Sequence, residues 1–486
     1  MISSPVVAHH PLKSGLQPFI DRALQELNAQ DMDAILYWNL VAVQTAGNDF
    51  DTAVAARPDQ PGPTRTSRAY AIIHGAMYEA AHYFHGDYHS LYKLHSPPSI
   101  HGVSKEHATD AAIMQAAFVT LYALFPQQRP IFDALRHDFL KRLKKYGYAS
   151  AAIEKGILIG KLLGEKILEA RSDDGSSEVL PYTPIDEPGY HQVDPLHPTQ
   201  GFLDPHWGSV RTFVINSPSD FRPPNTLGDN PADRLTYLSS DEYVQNFDEV
   251  KSLGELNSAT RTADQTEIGI TWAYDGAPKL GTPPRLYNQV TRVIAQLKKN
   301  TQKQNAALFA MINYCMADSG IAAWYTKYKY NFWRPIVGIR AGGGATTAVP
   351  DWEPLGSPSD GRGTDFTPNF PAFVSGHSTF GSCLFESLRL FYKTDQVNFR
   401  FQSDEFNGRT IDTRTGVARP AKTRSYSTLS QAEQENAISR IYLGVHWRID
   451  ADGGEYIGRG IAKFVYEALA GRQHTRFRLL PIIVRV

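Results

Sequence analysis

Along most of the first 170 residues, apolar positions recur every three to four places, the spacing that lines one face of an α-helix. The stretch Asp31 to Ala46 (DMDAILYWNLVAVQTA) has this pattern, as does AYAIIHGAMYEAAHYF after the Pro/Gly-rich break ARPDQPGPTRTSR. Further helices are predicted over about Thr109–Phe125, Pro130–Tyr146 and Ala149–Ala170, with Pro126 and Gly147 as stops. From Ser172 to about Asp248 the period is lost and Pro, Asp, Ser and Gly dominate. So long a stretch without regular structure is expected to be a functional loop system or an excursion between domains. Helical patterning resumes at Ser239 and continues through Pro284–Lys299 and Thr301–Tyr330. A second irregular stretch follows, Ala341–Phe373, then a helix from near Ser378, a polar insertion over Ser403–Ser430, and two helical stretches flanking Gly444. Strand-like alternation is sparse and no repeat of 20–50 residues is evident. The pattern predicts an all-α protein of packed helical bundles with long loops over one end. Its expected organisation is an N-terminal helical region (1–171), an irregular segment (172–248) and a C-terminal helical region (249–486), together one compact unit.

Composition narrows the function more than the fold. Apolar residues make up 42% of the 486 and charged residues 20%, enough for a large core. The 49 Lys+Arg against 50 Asp+Glu give a net charge of −1, which argues against a strongly basic nucleic-acid binder. No apolar run of about 18 residues is apparent, so no membrane-spanning helix is expected. The N-terminus, broken by Pro5, is too short for a secretory signal. A cytoplasmic location is expected, or a secreted or periplasmic one if a signal has been removed. Two cysteines, Cys315 and Cys383, predict neither a disulfide framework nor a thiolate metal site.

Three clusters carry candidate chemistry. In the first, Lys327 and Arg334 stand seven apart beside Trp324 and several other aromatic residues. Helical spacing would put both charges on one face, with Pro335 ending the helix at Arg334. In the second, Phe370-Pro-Ala-Phe-Val-Ser375-Gly376-His377 precedes a helix, so Ser375 and Gly376 fall at a helix N-terminus, where amides and the macrodipole favour an anion. The third runs from Ser439-Arg440 to His446 and Asp450, a spacing at which the carboxylate could fix the imidazole tautomer. Singly, these also fit a solvated basic stripe, an ordinary capped helix and a satisfied core histidine. Together they would gather Lys327, Arg334 and Arg440 among aromatic rings. Two like charges about 4 Å apart repel by roughly 4 kcal/mol at an effective dielectric near 20, so such a cluster makes sense only around a polyanion. A tetrahedral oxyanion such as phosphate or vanadate matches the donors.

In order and internal spacing, these clusters resemble the three-part motif of the vanadium-dependent haloperoxidases and the type 2 phosphatidic acid phosphatase superfamily: Lys-x6-Arg-Pro, Pro-Ser-Gly-His, and Ser-Arg-x5-His-x3-Asp. The first and third are complete here; in the second, Val374 replaces the proline, and 61 residues separate His377 from Ser439. Trp272-Ala-Tyr-Asp275-Gly, Gly281-Thr-Pro-Pro-Arg-Leu-Tyr-Asn288 and Arg68-Ala-Tyr-Ala-Ile-Ile-His74-Gly-Ala-Met-Tyr78 are similar to haloperoxidase segments, extending the likeness over about two thirds of the chain.

The resemblance implies a helical fold of two four-helix-bundle-like halves and vanadate as cofactor, with phosphate able to take the same pocket. It implies that His446 coordinates vanadium, that Lys327, Arg334, Ser375, Gly376 and Arg440 bind the oxyanion's oxygens, and that His377 is the acid–base group. It pairs Asp275 with Arg440, has Asp450 orient His446, and puts Trp324 and Phe370 at the halide site, in the manner of the chloroperoxidases. Hydrogen peroxide, polarised by Lys327, would oxidise halide (bromide, with chloride and iodide as the alternatives) to hypohalous acid that halogenates a small organic acceptor. Family members are often homo-oligomers, which leaves that assembly open. A rival within the superfamily is an acid phosphatase with His446 as the phosphohistidine nucleophile; a rival of another class is a non-catalytic helical scaffold. A divalent-metal enzyme fits poorly, since the pocket is cationic and no His-Glu-x-x-His set appears.

Overall fold

The computed structural model describes residues 15–30, 32–86, 89–224, 226–358 and 366–471. Pro5, Asp31 and part of the second irregular stretch lie outside these. Fifteen α-helices account for most of the described residues. In the N-terminal half they are α1 (Gln17–Asn28), α2 (Ala34–Asn48), α3 (Gly62–His85), α4 (Lys105–Leu124), α5 (Arg129–Lys145) and α6 (Ser150–Ala170). After a long loop come α7 (Pro231–Leu238), α8 (Asp241–Leu253), α9 (Ala263–Thr271), α10 (Pro283–Leu297) and α11 (Gln302–Tyr330). The chain then forms α12 (Pro335–Ala341), α13 (Gly376–Tyr392), α14 (Leu429–Tyr442) and α15 (Arg448–Leu469). The one sheet among the described residues is the antiparallel pair β1 (Phe399–Phe401) and β2 (Arg424–Tyr426).

Helix α11 is the axis of the molecule. It packs on α3 on one side, where α3, α4 and α6 form a bundle, and on α13 and α15 on the other. By length and mean hydropathy (1.3) its Gln302–Tyr330 span is apolar enough to cross a membrane, contrary to the reading of the sequence above. That apolar window is wholly buried against neighbouring helices, as expected of a core helix hydrophobic all round. Cys315 on α11 and Cys383 on α13 are joined as a disulfide with Cα atoms 6.1 Å apart, also unforeseen. Their separation of 68 residues gave no hint that they face each other across adjacent core helices.

Two glycines set how closely α15 approaches α13. A Cβ on Gly458 would lie 2.3 Å from the Thr379 carbonyl oxygen, and one on Gly454 2.6 Å from that of Ser375. The contact brings the first turn of α15 against the start of α13, where two of the three sequence clusters lie.

Helix α7 falls in the first stretch read as irregular, and α12 in residues just before the second, for which no element was predicted. Each opens on a proline at the first helical position, which reads as a break in a sequence but suits a helix start.

Candidate active site

Lys327 lies in the last turn of α11, fully buried. Helix α11 does not run on to Arg334: Asn331 adopts the left-handed conformation (φ 54°) and ends it. Arg334 is instead the extended residue that caps the start of α12, so the predicted shared helical face is replaced by a turn. The two side chains nonetheless converge. Lys327 Nζ donates to the carbonyls of Pro371 (2.8 Å) and Ala372 (3.1 Å). Arg334 Nε donates to the Phe370 carbonyl (2.8 Å), three residues within the same loop. Lys327 Nζ also lies 4.8 Å and Arg334 Cζ 4.9 Å from the centre of the Phe370 ring, and the Phe370 and Trp324 rings are 4.7 Å apart. Both cations therefore hold one loop through carbonyls and a π face.

That loop delivers the second cluster. Ser375 is the N-cap of α13, its Oγ accepting from the Ser378 amide, while its own amide donates to the Asp450 carbonyl (2.7 Å). A Cβ added to Gly376 would meet nothing nearer than the Trp324 ring at 3.6 Å, so open space lies beside this backbone. His377 Nε2 is 2.6 Å from the Ala273 carbonyl, to which it must donate, leaving Nδ1 with the lone pair in the neutral ring. Burial, followed by the charge of Arg440, holds the pKa of His377 down at about 4.

The third cluster closes the site. Arg440, in the last turn of α14, donates through Nη1 to Asp275 Oδ2 (2.9 Å). Burial pushes the Asp275 carboxyl up, but Arg440 and His377 outweigh it and hold the group below the usual range. Ser357, which also donates to Asp275 and accepts from Arg440 Nη1 (3.3 Å), was not singled out from the sequence, since its loop carries no local pattern. His446 precedes α15 rather than lying on a helix, yet its Nδ1 is 2.9 Å from Asp450 Oδ2 in the first turn of α15. Asp450 Oδ2 accepts from the Trp447 amide as well (2.8 Å). Burial raises the Asp450 pKa to about 7, against the opposing pull of that amide and of Lys327 and Arg334.

Electrostatically the site is a buried concentration of positive charge. Burial first, then Arg334 and Arg440, pushes the Lys327 ammonium well below its ordinary value. Burial and the same cationic neighbours do the same to His446. Burial lowers Arg334 to about 9. His191, from the long loop, is a further buried histidine held well below its ordinary pKa by burial and then by Arg334 and Lys327; no pattern in its stretch of chain singled it out. Arg334 Nη2 and Arg440 Nε and Nη2 are buried without a hydrogen-bond partner in the protein. An uncompensated buried guanidinium N–H is costly, and a multi-oxygen anion is the ligand that would satisfy several at once. All seven residues predicted to bind the oxyanion are therefore brought to one place, with Asp275, Asp450, Trp324 and Phe370 around them. His377, Gly376, Arg440 and His446 are among the residues that line a cavity of about 470 Å³.

Fold and site together are similar to those of helical proteins of the vanadium haloperoxidase type. Residues 307–474 match the family model of the second helical-bundle domain of vanadium chloroperoxidase (VCPO). The vanadium chloroperoxidase of Curvularia inaequalis is 33% identical over 313 residues, 57% of this chain and 51% of that protein. The chain thus spans about half the length of this curated relative. Among solved structures, the first bacterial vanadium-dependent iodoperoxidase superposes with a TM-score of 0.69 at 20% identity, over 92% of this chain and 98% of that one. A holo-type bacterial vanadium-dependent chloroperoxidase gives a TM-score of 0.62 at 16% identity, over 85% and 93%. At these identities the likeness is one of fold, and it bears out the all-helical architecture expected from the sequence.

Proposed function

We propose that this protein is a vanadium-dependent haloperoxidase that uses hydrogen peroxide to oxidise halide to hypohalous acid, with vanadate as its cofactor. The observation that carries this reading is the group of unpartnered, buried Arg334 and Arg440 N–H donors beside His446. The donor set fits vanadate: Lys327, Arg334, Ser375, Gly376 and Arg440 would hold its oxygens, and His446 would coordinate the metal. Bound vanadate would supply Lewis-acid activation of peroxide with no change in its own oxidation state.

The chain's own residues do the rest. Asp450 accepts from His446 Nδ1–H and so keeps Nε2 available as a lone pair, the role a carboxylate plays behind many metal-ligating histidines. His377 Nδ1 is free to take a proton from peroxide at neutral pH, since the ring is neutral there. Asp275 offsets the charge of Arg440 and fixes the orientation of its guanidinium. Lys327 and Arg334 favour negative charge developing on oxygen, and the Trp324–Phe370 wall excludes the water that would screen them. Phosphate, with the same shape and charge, would take the same place.

The test is bromination of monochlorodimedone after addition of orthovanadate, set against hydrolysis of p-nitrophenyl phosphate without it. Vanadate-dependent bromination supports the proposal. Dominant hydrolysis that vanadate inhibits would favour the phosphatase, in which His446 attacks phosphorus.

A further inference from the structure

We propose that the cavity over the oxyanion-binding residues holds a neutral, aromatic organic acceptor, and that halogen transfer to it takes place inside the protein. The proposal rests on the haloperoxidase reading above and names the acceptor class that reading leaves open. The cavity measures about 470 Å³, whereas a water-sized molecule needs about 30 Å³. Peroxide and one halide would leave most of it unfilled, and cavities of about 300–1,000 Å³ with a few convergent polar groups enclose ring-sized ligands.

The polarity of the lining points to the same class of ligand. His377, Arg440 and His446 share the lining of the cavity with the apolar Phe50, Pro58, Pro61, Leu203 and Pro283. These apolar residues come from the N-terminal half, the long loop and the start of α10, outside the matched 307–474 domain. Two acidic residues on the wall are already engaged. The Asp49 carboxylate accepts from the amides of Asp59 (2.8 Å) and Gln60 (2.9 Å), and Asp275 is paired with Arg440. Among the described residues, no free anion therefore lines the cavity to attract a cationic acceptor. Trp324, Phe370 and Phe380 add ring surfaces to the same lining, against which a flat, electron-rich ring would pack beside the oxidising site. Thr52, Ala56 and Arg57, which are exposed, mark the mouth.

The chemistry balances in two steps. Bromide is oxidised by two electrons and peroxide reduced by two, Br⁻ + H2O2 + H⁺ giving HOBr + H2O. The aromatic C–H then yields its proton as a C–Br bond forms and the O–Br bond breaks, ArH + HOBr giving ArBr + H2O.

The probe is 2-naphthol, in two arms. Calorimetry on the vanadate-free protein reads binding, which is expected to be about tenfold weaker in Ala56→Trp or Thr52→Trp, each of which puts a large side chain across the mouth. Product partition reads transfer: with bromide, peroxide and vanadate, 2-naphthol competes against excess monochlorodimedone, and the ratio is compared with that from reagent hypobromite. The proposal expects the enzyme ratio to favour bromonaphthol about tenfold over the reagent ratio, and both variants to return it toward the reagent value. An enzyme ratio equal to that of hypobromite, or binding unchanged in both variants, overturns it. Bound naphthol with no bromide oxidation at all contradicts the haloperoxidase reading instead.

Discussion

Arg334 Nη1 lies 2.9 Å from His446 Nε2, and since a guanidinium can only donate, Nε2 must accept. The proton of the neutral imidazole is then on Nδ1, where Asp450 Oδ2 receives it at 2.9 Å. One cation and one carboxylate, from different parts of the chain, thus fix the tautomer in which Nε2 carries a lone pair toward the cationic cluster.

Replacing Asp450 by Asn removes the negative charge from the side-chain oxygen that serves both His446 Nδ1–H and the Trp447 amide. Orthovanadate affinity, measured by equilibrium dialysis, should fall about tenfold or more, the range typical of removing the carboxylate behind a metal-ligating histidine. Unchanged affinity would mean that Asp450 serves only to cap α15.

Because the three cations are buried and incompletely paired, an oxyanion should stabilise the protein strongly. Orthophosphate at 100 times its Kd should raise the unfolding free energy by about 2.7 kcal/mol, read as a rise in Tm. Lys327→Met should show little shift at the same phosphate concentration. The scaffold alternative predicts no shift in either protein.

The sequence made the ligand set legible because each cluster is local: Lys327 with Arg334, Ser375 with His377, and Arg440 with Asp450 are each spaced within a few turns of chain. It misplaced Arg334 because a left-handed Asn331 leaves no signature distinguishing a helix end from its continuation. It missed Ser357 and His191, which reach the site from loops whose only visible property is lack of period. The apolar wall of the cavity was hidden for the same reason. It is assembled from prolines that read, one at a time, as turn formers.

Glycine normally weakens a helix interior by about 1 kcal/mol relative to alanine, so propensity alone predicts that Gly458→Ala stabilises the protein. Packing predicts the opposite, since the new Cβ would lie 2.3 Å from the Thr379 carbonyl oxygen. Overpacking of this kind costs about 1–3 kcal/mol, and urea unfolding should show net destabilisation. Phosphate affinity should fall with it, because Asp450 and Ser375 move apart.

His74, buried on α3 between Asn39 Nδ2 (2.8 Å) and the Tyr70 carbonyl (2.8 Å), has its pKa lowered by burial to about 4. Between that value and the ordinary 6.5 the unfolded chain binds the extra proton, so the contribution is whole above 6.5 and lost as pH falls toward 4. From pH 7.5 to pH 5 the loss is about 2 kcal/mol. The difference in urea stability between those pH values should shrink by about that amount in His74→Gln; an unchanged difference would mean that His74 does not titrate this way.

The most direct test of the cationic cage is anomalous diffraction at the vanadium edge from crystals grown with orthovanadate. One vanadium per chain is expected, within bonding distance of His446 Nε2 and surrounded by Lys327, Arg334 and Arg440. A vanadium bound elsewhere, or no ordered vanadium in crystals grown at saturating orthovanadate, would contradict the account.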